Sequence, residues 1–196
     1  KKVILTRDAR DTLVSRVLYD IYNEAALCAD DAKVDAFVNL LRRKEVAPSR
    51  TPLGDVIDLF DRMSRRPLLP RATQVAAVAL EFQRGHADFF PYRYEDLIRG
   101  NFTAIESHLG LSIGPDLASV PAEYGRVARS KRSGDWRDWL TPADVDFFRP
   151  YFMPYLAYNA YADDWTLSAQ PRILPEHGSG YVLRLVEERR RLTAAS

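Results

Sequence analysis

The alternation of apolar and polar residues divides the chain into one or two strands and many helices. Val3, Ile4 and Leu5 form a continuous apolar run, the pattern of a strand buried on both faces. Helical spacing then takes over. Leu13, Val17, Leu18, Ile21 and Tyr22 recur on one face, predicting a long helix over 9–29. Asp30 and Asp31 punctuate, and Val34, Phe37, Val38 and Leu41 predict a second helix over 32–43. After a loop at 44–52, Thr51 reads as a helix cap and Pro52 as a first-turn residue. The helix they open carries Val56, Leu59, Phe60 and Met63 inward. The stretch 70–83 is rich in Ala and Val and predicts a well-buried helix.

The second half is more broken. A second strand is predicted over 89–94, leading into Glu95, Asp96 and Leu97, with Asp96 capping the turn that follows. A short helix over 101–109 is closed by Gly110. Residues 111–135 carry Pro115, Pro121, Gly114, Gly125 and Gly134 and read as irregular. Thr141, Pro142 and Asp144 form a strong helix start. Aromatic residues crowd 147–161, and an amphipathic helix is predicted over 180–192. Few strands, many helices and an opening strand–turn–helix point to an α/β domain.

Bulk properties narrow the function classes. A length of 196 residues suits a single domain spanning 1–196, with 162–196 as a C-terminal extension. A net charge of +1 gives no reason to expect nucleic acid as a partner. Cys28 stands alone, which excludes an internal disulfide and any multi-cysteine zinc site, and its apolar neighbours predict a buried, inert thiol. His86, His108 and His177 have no metal-ligand spacing and read as structural, so no metal is expected. There is no Gly-x-x-x-x-Gly-Lys-[Ser/Thr] run for a nucleoside triphosphate. No apolar run is long enough to span a bilayer and no signal peptide opens the sequence, so a cytoplasmic location is expected. The chain starts without Met, directly in a strand that calls for neighbours on both sides, so further sequence is expected upstream.

Three segments carry candidate chemistry. In the first, Lys1 to Tyr19, Arg7 sits at the strand exit and Ser15 two turns into the helix. A guanidinium fork and a hydroxyl on a short tether suit a phosphate. In the second, Pro91 to Leu111, Tyr94 ends the predicted strand, where an aromatic face can stack on a base. The adjacent Glu95 and Asp96 also admit reading as an acid/base pair. In the third, Arg126 to Phe148, the cations Arg126, Arg129, Lys131, Arg132 and Arg137 crowd into 126–138, where they face only Asp135 and Asp138, a composition able to wrap a polyanion. Trp136 and Trp139 are expected to anchor it to the core.

The order strand–Arg–Asp–x–Arg–Asp–x–x–x–Ser, then Tyr-Glu-Asp-Leu with Leu-Gly-Leu, then Gly-Asp-Trp resembles sulfotransferases that use 3′-phosphoadenosine 5′-phosphosulfate. The resemblance covers roughly 1–161 and implies a helix-rich, P-loop-nucleotide-kinase-like three-layer α/β domain with a central parallel sheet. It implies that Arg7 and Ser15 hold the 3′-phosphate, that Tyr94 approaches the adenine, and that Arg129, Ser130 and Lys131 grip the cofactor. Here the sequence departs from the family, since Ser130 and Lys131 stand where Lys and Gly usually do. The family's phosphosulfate loop and usual catalytic base precede the strand that opens this chain, so no catalytic residue is assigned. The acceptor is of unknown class: a glycan, a lipid-linked glycan, a lipid or a small molecule. Two alternatives stand beside this one: a nucleotide kinase-like enzyme, and a catalytically silent binding or scaffolding module of the same fold. Oligomeric state is not legible.

Overall fold

The computed structural model describes residues 1–114, 130 and 132–194. A strand β1 (Val3–Thr6) runs parallel to β2 (Phe90–Arg93), with Thr6 opposite Arg93 at their C-terminal ends. Between them lie α1 (Ala9–Tyr19), a 3-10 turn (Asp20–Asn23), α2 (Ala25–Cys28), α3 (Asp31–Val46), α4 (Leu53–Met63) and α5 (Leu68–Gly85). After β2 come α6 (Tyr94–Ile98), α7 (Thr103–Leu109), α8 (Trp136–Trp139), α9 (Pro142–Tyr158) and α10 (Ser179–Ala194). The protein is therefore a helix-rich α/β chain. A parallel pair requires a crossover, and the helices from α1 to α5 supply it.

Three expectations from the periodicity are corrected. The run Val3, Ile4, Leu5 is not buried on both faces, for Leu5 is 55% exposed while its register partner Tyr92 is buried. Among the described residues β1 pairs on one edge only, so the layer that would cover Leu5 is not formed by them. The single helix over 9–29 is three pieces. Asp20 is buried and held at 2.7 Å by Arg71 of α5, and the Asn23 amide donates to it, so side-chain bonding displaces helical continuation. The helix at 70–83 spans Leu68–Gly85 and is buried along one face only, through Ala72, Ala76, Leu80 and Gln83, while Val78 and Phe82 lie in solvent.

The start and stop signals act as their chemistry requires. Thr141 and Asp144 form a reciprocal capping box at α9. The Asp144 carboxylate also accepts the N–H groups of Leu53 and Gly54, at 2.9 and 2.8 Å, so one buried acid closes α9 and α4 together. Pro52 lies just outside α4 as its cap rather than in its first turn. Gly110 ends α7 in the left-handed region, at φ +75°. Cys28 is buried, and its thiol donates to the Ile21 carbonyl.

One cluster of apolar side chains runs through the molecule. It joins Leu13, Val17 and Leu18 of α1, Phe37 and Leu41 of α3, Phe60 of α4, Phe148 and Phe152 of α9, and Val182 and Leu185 of α10. The C-terminal helix thus packs into the same core, and its entry is fixed by Glu45, which accepts both the N–H and the hydroxyl of Ser179. Trp136 and Trp139 are also buried in it. Among the described residues, no helix is long and apolar enough to cross a membrane.

Candidate functional site

The strand register brings the first two segments together. Thr6 pairs with Arg93, so the next residue on each strand, Arg7 and Tyr94, emerges at the same C-terminal edge, where parallel α/β sheets bind ligands. The Arg7 guanidinium lies over the Tyr94 ring, 4.6 Å from its centroid. Arg7 Nε is buried and makes no hydrogen bond among the described residues. The Arg7 carbonyl is held by the Tyr155 hydroxyl at 3.2 Å. The strand stops one residue short of the predicted end, and Tyr94 opens α6.

One residue further, Asp8 caps α1 by accepting the Arg10 N–H at 2.9 Å. The same carboxylate takes the Arg10 guanidinium at 2.7 Å, and Arg10, 4% exposed, lies against the rings of Trp136 and Trp165. The Asp8 N–H donates to Glu95 Oε1 at 3.0 Å, and the Tyr161 hydroxyl donates to Glu95 Oε2 at 2.9 Å. Both Glu95 oxygens are therefore engaged, and the buried carboxylate ties β1, α6 and the end of α9 together. That geometry suits a brace rather than a proton shuttle. Burial, followed by the Glu95 charge, raises the Tyr161 phenol above its usual range. Asp96 does not cap the start of a turn. It lies inside α6, and its carboxylate and carbonyl accept the side-chain and backbone N–H of Asn101.

The third segment docks onto the first turn of α1. Asp11 is fully buried and accepts Gly134 N–H at 2.7 Å and Trp136 N–H at 3.1 Å, one on each oxygen. Gly134 has φ +85°, a conformation that side-chain-bearing residues rarely adopt, so a glycine is required there. Desolvation pushes the Asp11 carboxyl up to about 6. The Gly134 N–H opposes the shift, Asp8 adds to it, and the Trp136 N–H and Arg7 oppose it more weakly. Between these contacts Asp135 accepts the Ser130 hydroxyl at 2.8 Å and pairs with Arg132 at 3.3 Å.

The residues predicted from sequence therefore separate. Arg7 and Tyr94 are in contact. Ser15 is half-buried on α1, one turn beyond Asp11 and on the same face. Ser130 is close to this face through Asp135, but its one proton is committed to that carboxylate, so it braces the loop rather than presenting a donor to an anion. Arg126, Arg129 and Lys131 lie outside the described residues. Sequence reasoning gave Asp8, Arg10 and Asp11 no role beyond their place in the Arg–Asp–x–Arg–Asp run, and read Glu95 as one of an acid/base pair rather than as a brace. For Asp8 a signal existed, since an Asp directly before a helix is a preferred cap. The roles of Arg10, Asp11 and Glu95 depend on partners far along the chain and leave no local trace.

A concavity of about 340 Å³, which neither Arg7 nor Tyr94 lines, lies on one face of the strand pair, against the C-terminal ends of α5 and α9. Its polar walls are already spent. Gln83 and Asn159 bond each other, Arg93 donates to the carbonyls of Asn159 and Ala160, and His86 bonds the Phe82 carbonyl. His108 stacks on Phe90 and reaches the Lys2 carbonyl. Among the described residues no group of three or more His, Cys, Asp and Glu is placed to hold a metal ion.

Comparison with known protein families, curated proteins and solved structures finds no match for this chain. Function is read from the residues alone.

Proposed function

We propose that this chain forms the nucleotide-gripping part of a sulfotransferase that uses 3′-phosphoadenosine 5′-phosphosulfate, on a fold of the P-loop nucleotide kinase type. The observation that carries the reading is the meeting of Arg7 and Tyr94 at the C-terminal mouth of the parallel pair, with an Arg7 donor left over. The Gly134–Trp136 turn docks on Asp11 of α1, one helical turn before Ser15. A guanidinium backed by a ring is held in place before any anion arrives, which lowers the ordering cost of binding. On this reading Arg7 and Ser15 take the 3′-phosphate and Tyr94 lies near the adenine. The basic residues Arg129 and Lys131 are assigned to the same cofactor from the sequence.

In the reaction, the bond between the sulfuryl sulfur and the phosphate-bridging oxygen breaks. A bond from that sulfur to an acceptor oxygen or nitrogen forms, and the acceptor's proton passes to a base. Adenosine 3′,5′-bisphosphate leaves with the bridging electron pair. As in phosphoryl transfer, rate comes from in-line positioning and from charge stabilisation at the leaving oxygen. Arg7, Ser15 and Tyr94 bind and orient the nucleotide, and no residue of this chain is assigned as the base. The acceptor is a hydroxyl or amine of a glycan, lipid or small molecule, and the cytoplasm, where the cofactor is made, is the proposed location.

The test is calorimetric titration with adenosine 3′,5′-bisphosphate beside 5′-AMP. Tight binding that needs the 3′-phosphate supports the reading. Equal or absent binding from a folded sample removes it and leaves the catalytically silent module.

A further inference from the structure

Asp11 is a buried acid that the proposed chemistry does not use. It sits four residues from Arg7 and four from Ser15, between the two side chains assigned to the phosphate. A carboxylate beside an anion site is electrostatically unfavourable. Its two oxygens are nevertheless fully occupied, one by Gly134 N–H and the other by Trp136 N–H. Those donors belong to the turn that carries Asp135, and Asp135 in turn holds Ser130 and Arg132. Trp136, the next residue, is buried against Arg10, which the Asp8 cap fixes. The start of the third segment's described part, Ser130 and 132–136, is therefore registered on α1 through this one carboxylate and the Trp136–Arg10 contact. On an α-helix, Asp11 and Ser15 are neighbours on the same face. The turn is thus held next to the hydroxyl that the phosphate would contact.

We propose that Asp11 is a positioning residue: by accepting the Gly134 and Trp136 N–H groups, it sets the Gly134–Trp136 turn against the Arg7 and Ser15 end of α1 and so builds the anion site. The inference rests on the nucleotide reading above. It goes beyond it by giving the site a residue that touches no ligand and bears the wrong charge for one.

That wrong charge makes the test decisive, because two physical effects of Asp11→Asn have opposite signs. Removing a negative charge near Arg7 tightens the binding of an anion if charge is all that matters. An asparagine also presents an NH₂ where one of the two turn N–H groups now donates, so it breaks one of the bonds that hold the turn. The positioning role therefore predicts weaker binding. The loss of one charge-assisted bond corresponds to about tenfold or more in Kd for adenosine 3′,5′-bisphosphate.

The experiment compares the unaltered protein with Asp11→Asn by calorimetry at pH 7.5, with amide hydrogen exchange measured on the free proteins. The expected result is at least tenfold weaker binding, with faster exchange at Gly134 and Trp136 and unchanged protection in α9. Binding that is unchanged or tighter in Asp11→Asn, beside an unaltered protein that binds, overturns the role of Asp11 and leaves the nucleotide reading standing. An unaltered protein that does not bind overturns both. If Asp11→Asn loses the protection of α9 as well, Asp11→Glu decides. The longer acid keeps charge and acceptors but shifts the turn, so binding equal to that of the unaltered protein overturns the positioning role and weaker binding supports it.

Discussion

Arg7 stands over the ring of Tyr94, 4.6 Å from its centroid, because Thr6 and Arg93 are opposite one another in a parallel pair. Neither side chain chooses this partner locally. The register chooses it, and a register slip of one residue would send one of the two to the other face.

Arg7→Ala should therefore weaken the binding of adenosine 3′,5′-bisphosphate by about 1.5–3 kcal/mol, the scale of a lost charged hydrogen bond. Ser15→Ala should cost less, about 0.5–1.5 kcal/mol, as for a neutral donor. Calorimetry on the two variants checks the ranking, and unchanged affinity in Arg7→Ala would remove the cofactor assignment.

Tyr161→Phe removes the donor to Glu95 Oε2 while leaving the ring in place. The buried carboxylate then loses one of its two partners, and a destabilisation of about 1.5–3 kcal/mol is expected. The urea midpoint reads it. If Glu95 is a brace, nucleotide affinity measured well below that midpoint should change little.

The Asp144 carboxylate accepts the N–H groups of Leu53, Gly54 and Thr141 and the Thr141 hydroxyl. Asp144→Ala uncaps two helices at once, so the cost should exceed a single cap and reach about 2–4 kcal/mol. Thr141→Ala, which removes one member of the box, should cost about 1 kcal/mol. Equal midpoints for the two variants would contradict the double-cap role.

Two buried groups predict opposite pH slopes. Burial lowers the Lys44 ammonium from 10.5 to about 8, with Asp144 and then Asp55 opposing the shift. Between those values the unfolded chain holds the proton and the folded one does not, so stability rises with pH across that window, by about 3 kcal/mol. Against Lys44→Met, the unaltered protein should gain from pH 8 to pH 10. A flat difference would show that the Thr51 carbonyl, 2.5 Å away, keeps the group charged.

Asp11 behaves the other way. Its carboxyl rises from 3.8 to about 6, chiefly by desolvation. Between those values the folded state binds the extra proton, so stability is fullest below pH 4 and is lost as pH rises through 6, by about 3 kcal/mol. Measured against Asp11→Asn, the unaltered protein should lose stability from pH 4 to pH 6. A difference that grows with pH would mean that the two turn N–H groups outweigh burial.

The sequence by itself determined the local elements. Leu13, Val17 and Leu18 mark the inner face of α1, Phe37 and Leu41 that of α3, and Thr141 with Asp144 the start of α9, because helical spacing and capping act over four residues or fewer. The sequence also placed Arg7 and Tyr94 at strand exits. Only the tertiary structure decided that these two touch, that Leu5 is exposed, and that Glu95 and Asp11 spend their charges as braces. Those outcomes depend on which backbone N–H or hydroxyl arrives from a distant element. Residues such as Asp11 and Gly134 meet through packing, and no periodicity along the chain records it.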